Sequence, residues 1–153
     1  MKRILLILIV IALGLSMASC GRELVAKTLL CDFLSAYGAG GIVYSPLSSE
    51  GEDGYVDGDM MSKIYIHEGE FPENYAVLLN SRADYGAECA VFVCKDKNES
   101  ARIMEICRER ISLLGKSEDN AVIYRSGNII FYSTFEDKDN VERIWIKIIK
   151  SHT

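Results

Sequence analysis

Apolar and polar positions along this chain follow two periods, three to four residues in some stretches and two in others. Residues 23–37 place Leu24, Leu29, Leu30, Phe33, Leu34 and Tyr37 on one helical face, and Gly38, Gly40 and Gly41 end it. A short strand is predicted at 42–44. Asp57 then caps a short helix carrying Met60, Met61, Ile64 and Tyr65. After the turn at Pro72, residues 75–80 and 88–94 read as strands, with Ala83-Asp84-Tyr85-Gly86 between them. Asp96 and Glu99 form a capping-box pair, the acid at the third helical position reaching back to the N–H of the cap. They open a helix that buries Ile103, Met104, Ile106, Cys107, Ile111 and Leu114 and stops at Gly115. Residues 121–125 and 129–134 flank Ser126-Gly127-Asn128, a hairpin signal. A last helix at 139–150 buries Val141, Ile144, Trp145 and Ile148.

Strands arriving in adjacent pairs, separated by helices, suggest an α+β fold. The expectation is a two-layer sandwich: a mostly antiparallel sheet of about four or five strands with helices on one face.

The first twenty residues carry a different message. Lys2 and Arg3 precede an unbroken apolar run from Ile4 to Leu15, and Ser16-Met17-Ala18-Ser19 then meets Cys20. A basic head, a short apolar core and a small-residue site describe an export signal, whereas a membrane-spanning helix needs roughly 20 apolar residues. Ala18-Ser19-Cys20 resembles the lipobox of bacterial lipoproteins, in which the cysteine is lipidated and becomes the new N-terminus. Met17 stands where that pattern most often has Leu. The expected organisation is a signal peptide at 1–19, the lipidated Cys20 with a short tether at 20–22, and a single α+β domain at 23–153. The expected location is the extracytoplasmic face of the cell membrane, held through lipid on Cys20. Two or three acyl chains anchor a protein stably where one does not.

Charge narrows the partners. Loss of Lys2 and Arg3 leaves 15 Lys+Arg against 22 Asp+Glu, a net charge of −7. That sign argues against nucleic acid, and against a basic surface adhering to anionic lipid. Beyond Cys20 there are four cysteines. Cys89 and Cys94 are five apart on one strand and point to opposite faces, and Cys31 and Cys107 fall on helical apolar stripes. Four buried thiols are expected rather than disulfides. No C-x-x-C occurs, so zinc and thioredoxin-like readings have little support.

No catalytic, cofactor-binding or metal-binding constellation stands out. The acidic stretch Glu50, Glu52, Asp53, Asp57 and Asp59 invites calcium, but counting from Asp53 puts Ile64 at the twelfth loop position, where a ligating acid is required. A solvated acidic loop is the better reading. His67 and His152 cannot share a helix face. No G-x-S-x-G elbow is present. Glu68, Glu70 and Asp53 are the carboxylates an enzyme would use here. Tyr124, Phe131, Tyr132 and Trp145 read as core and sheet-face packing before they read as a groove. Arg110 sits on the apolar side of its helix, with a snorkelling stem as the simplest account.

Glu88-Cys89-Ala90-Val91-Phe92-Val93, the charged helix from Ala101 to Leu114, Asn120-Ala121-Val122-Ile123-Tyr124 and Gly127-Asn128-Ile129-Ile130-Phe131 together resemble an uncharacterised family of small lipoproteins from low-GC Gram-positive bacteria, domain of unknown function 4358. The resemblance spans roughly residues 42–140. It implies an α+β fold and a surface lipoprotein, and no activity. The functional expectation is a membrane-anchored, non-enzymatic binding or protein-interaction module of the cell envelope, with an envelope protein as partner. The alternative is an envelope hydrolase or a small-ligand or metal-binding lipoprotein.

Overall fold

The computed structural model describes residues 25–80 and 87–152. The expected signal at 1–19, Cys20 with its tether, Glu23 and Leu24, and the 83–86 connection lie outside the described residues. The elements follow in the order α1 (Ala26–Tyr37), β1 (Val43–Tyr44), α2 (Gly58–Tyr65), β2 (Asn74–Leu78), β3 (Cys89–Val93), α3 (Lys97–Leu113), a 3-10 turn (Glu118–Asn120), β4 (Val122–Ser126), β5 (Ile129–Ser133) and α4 (Lys138–His152). The five strands form one sheet in the order β1-β2-β3-β5-β4, every pair antiparallel. The registers Ala76↔Val91 and Val91↔Phe131 run across its centre. This is the α+β class with a five-stranded antiparallel sheet.

The layering is fuller than the one-face arrangement expected from the sequence. Side chains alternate along each strand, and in the central strands β2, β3 and β5 both sets are buried. Leu78, Ala76, Cys89, Val91, Ile129 and Phe131 face α1 and α4. Val77, Tyr75, Ala90, Phe92, Ile130 and Tyr132 face α2 and α3. The helices therefore cover both faces. The near-continuous apolar runs Tyr-Ala-Val-Leu and Cys-Ala-Val-Phe-Val are what a strand buried on both sides requires.

Aromatic rings set the first layer. Phe131 stacks on Trp145 with centroids 4.2 Å apart and planes at 10°, and Phe33 meets Phe131 edge-on at 4.9 Å. The Trp145 indole N–H is buried there without an acceptor among the described residues.

Local signals place the ends. The Asp57 carboxylate accepts the Met60 N–H at 2.8 Å to start α2. Asp96 does the same for Glu99 N–H at 2.8 Å. The reciprocal half of the capping box differs from expectation: Glu99 accepts from the Lys95 N–H, one residue further back, at 2.7 Å. The β4–β5 turn is Gly127-Asn128, with Gly127 at φ 60° at the first central position, as a II′ hairpin requires. Asn128 then ties the turn to the end of β3, accepting from the Cys94 N–H and donating its amide to the Cys94 carbonyl.

Candidate functional site

Two features stand apart from ordinary packing: a buried ion-pair network and an acidic face. Glu88 lies immediately before β3 and is 3% exposed. Its backbone is clamped to Thr134, which closes the neighbouring strand. Arg110 reaches it from α3 with two parallel bonds, Nε to Oε1 at 2.6 Å and Nη2 to Oε2 at 2.9 Å. The third guanidinium nitrogen donates to the Ile64 carbonyl in α2 at 2.7 Å. Tyr132 on β5 donates to Glu88 at 2.8 Å, so the 2.7 Å contact between the two hydroxyls must run from Tyr65 to Tyr132. The guanidinium also sits 5.3 Å from the Tyr65 ring centre. Burial pushes the Tyr65 and Tyr132 hydroxyls well above the usual tyrosine range, with the Glu88 charge adding to the shift. The Glu88 bonds raise Arg110 above its already high ordinary value. Every arm of this network is engaged, and neither depression described below is lined by Glu88 or Arg110. It ties four elements together rather than presenting a reactive group.

The acidic charge comes from one segment, of which Asp59, Glu68, Glu70 and Glu73 line the depressions beside α2. Residues 48–74 hold eight acids and a single base, Lys63, a net charge of −7. From Cys20 onward the rest of the chain is neutral. Ser48 accepts from Lys27 Nζ at 2.9 Å, and the Asn74 side chain accepts the Ala26 N–H at 2.9 Å. Both ends of the acidic segment thus meet the first turn of α1, where the chain enters the domain from the Cys20 side.

Two depressions flank α2 on this face and share Asp59 and Ser62. One is an open cleft of about 900 Å³ whose lining includes Glu70, Phe71, Pro72, Glu73 and Glu99. The other, about 750 Å³, adds Lys63, Ile66, His67 and Glu68. Ile66 is 73% exposed and Met60 49%. Ile66 also caps α2 at φ 52°, a left-handed conformation that β-branched residues rarely adopt.

The residues singled out from sequence fall in different places. Glu70 lines the first depression, Glu68 the second, and Asp53 lies in the turn leading back to Ser45. They do not form one carboxylate pair. His67 is half-buried against Phe71 and lies 3.9 Å from Glu109, while His152 meets Asp32 at 2.9 Å, tying α4 to α1. Among the described residues, no three His, Cys, Asp or Glu converge to hold a metal ion, and no helix is long and apolar enough to cross a membrane. Phe131 and Trp145 belong to one face of the sheet and Tyr132 to the other, so the aromatic set lines no common groove.

Cys31, Cys89, Cys94 and Cys107 are free thiols. Cys89 and Cys94 do point to opposite faces. Cys31 corrects the expectation of four buried thiols: the buried stripe of α1 is Ala26, Leu29, Leu30, Phe33 and Leu34, and position 31 falls on its outer side. Arg110 is also corrected. Its head does not snorkel to water but ends on Glu88. One acid opening an apolar strand and one base on an apolar helix stripe were the sequence signal for that pair, because buried charges need partners.

The chain matches no protein-family profile, no curated protein and no solved structure.

Proposed function

We propose that this chain is a lipoprotein of the outer face of the cell membrane, anchored through lipid on Cys20, and that it works as a non-enzymatic binding module of the envelope. The observation that carries the reading is the segregation of charge: the whole net charge of the mature chain lies in 48–74, beside the point where the anchor's chain enters the fold. A charge field concentrated on one face is a device for selecting and steering partners. The export signal and lipobox-like Ala18-Ser19-Cys20 supply the location. Five residue steps separate Cys20 from Val25, so the tether spans at most ~17 Å and the acidic face works close to the bilayer.

Two measurements test this. Growth with a fatty-acid probe should label the wild-type chain and leave Cys20→Ala unlabelled. An acyl-free product with a different amino terminus overturns the anchor. Hydrolysis of envelope extracts by the pure protein, abolished by Glu68→Gln or Glu70→Gln, overturns the binding role.

A further inference from the structure

The geometry points to a specific class of occupant for the two depressions beside α2: a cationic, amphipathic peptide segment that a membrane-associated partner presents near the bilayer surface. The inference rests on the anchored binding-module reading and names the ligand chemistry of its face.

Charge and shape select among occupants. The face carries Asp59, Glu68, Glu70 and Glu73 around the depressions, with Lys63 as the opposing cation on α2. Lys95 and Arg102 lie 3.7 Å and 3.6 Å from Glu99, two cations against one carboxylate. They leave a single positive charge, which with Lys63 stands against the four acids, and the face stays net negative. An anionic bilayer and nucleic acid are repelled by such a field. A second copy offering the same face meets like charge, and the remainder of the mature chain offers no net positive charge to pair with it. No three ligating groups converge for a metal among the described residues. A small polyamine would satisfy the acids but leave the apolar anchors in water. Ile66 in one depression and the half-buried Phe71 in the other add an apolar component that a segment mixing Lys or Arg with aliphatic side chains would cover. The short tether keeps the occupant within the same thin layer above the membrane.

The test uses the full lipidated protein in phosphatidylcholine nanodiscs, titrated calorimetrically with a short Lys/Leu amphipathic peptide, the heat of empty nanodiscs being subtracted. Saturable one-to-one binding is expected, weakening roughly tenfold between about 50 and 200 mM salt as the Debye length shortens. Neutralising the face in one variant (Asp59→Asn, Glu68→Gln, Glu70→Gln, Glu73→Gln) should weaken binding at least tenfold. Ile66→Ser should weaken it several-fold with the salt dependence unchanged. Neutralising four acids elsewhere (Glu118, Asp137, Asp139 and Glu142) should leave it intact, and circular dichroism checks that each variant is folded. Equal binding of the Glu/Leu counterpart, equal loss in the two neutralised variants, or no saturable binding overturns the inference. Peptide binding by Cys20→Ala isolates the face from the anchor: binding retained without acylation supports the cationic-peptide site even where the fatty-acid experiment has defeated the lipoprotein reading.

Discussion

At the scale of single residues, the most consequential pair is Glu88–Arg110. Neither side chain is free to recruit water in compensation, with exposures of 4% and 16%. Glu88→Gln keeps the shape but strands the guanidinium charge, and should cost about 3–5 kcal/mol in urea unfolding. Replacing both, Glu88→Gln with Arg110→Met, should cost clearly less than the two single changes added together. An additive result would show that the pair is not coupled. Trp145 offers a contrast. Its N–H is buried without a partner among the described residues, so Trp145→Phe should lose well under the ~3–5 kcal/mol expected of Trp145→Ala. Ile66 is strained and exposed, and Ile66→Gly should relieve about 1 kcal/mol of backbone strain, read as a rise in urea midpoint. A residue whose conformation costs stability, and whose side chain contributes little to the core, fits a position kept for contact with something outside the domain.

At the scale of elements, α2 is the least self-sufficient helix. It has eight residues, only Met61 and Tyr65 buried, an Asp57 cap at one end and the strained Ile66 at the other. An isolated helix this short is unstable in water. Its attachment runs through Tyr65, which donates to Tyr132, and the Ile64 carbonyl, which accepts from Arg110. Asp57→Ala should therefore cost about 1 kcal/mol and increase amide exchange in α2 before other helices. The boundaries of this helix were legible because Asp57, Met61 and Tyr65 carry them locally. The partners of Tyr65 were not, since Tyr132 lies 67 positions along the chain. The same holds for Arg110: its place on an apolar stripe was visible, while the acid that answers it sits 22 residues earlier in another element.

At the scale of the whole molecule, the sheet shields a set of groups that must stay protonated. Burial raises Tyr65, Tyr132, Cys89 and Cys107 well above their ordinary values, and pushes Cys94 up to about 11. The folded state thus holds protons that the unfolded chain releases once pH passes the ordinary thiol value of 9.0. Their stabilising contribution is complete below that point and is lost as pH rises through the folded values. Stability should be flat from about pH 7 to 8.5 and then fall by up to ~1.4 kcal/mol per pH unit for each group titrating only in the unfolded state. Urea midpoints measured across that range test it. Cys94→Ala should make the fall shallower. A stability that stays level to about pH 11 would contradict the burial of these thiols and hydroxyls.

What the sequence determined alone is what depends on near neighbours. Helix and strand identities follow from side-chain period, and caps and the Gly127-Asn128 turn from groups a few residues apart. The tertiary structure decided the rest, because those outcomes join positions far apart. It put helices on both faces of the sheet, and it matched Glu88 to Arg110. It also brought Ser48 and Asn74, the two ends of the acidic segment, to the first turn of α1. Periodicity says that a strand side is apolar, but not which helix returns to cover it.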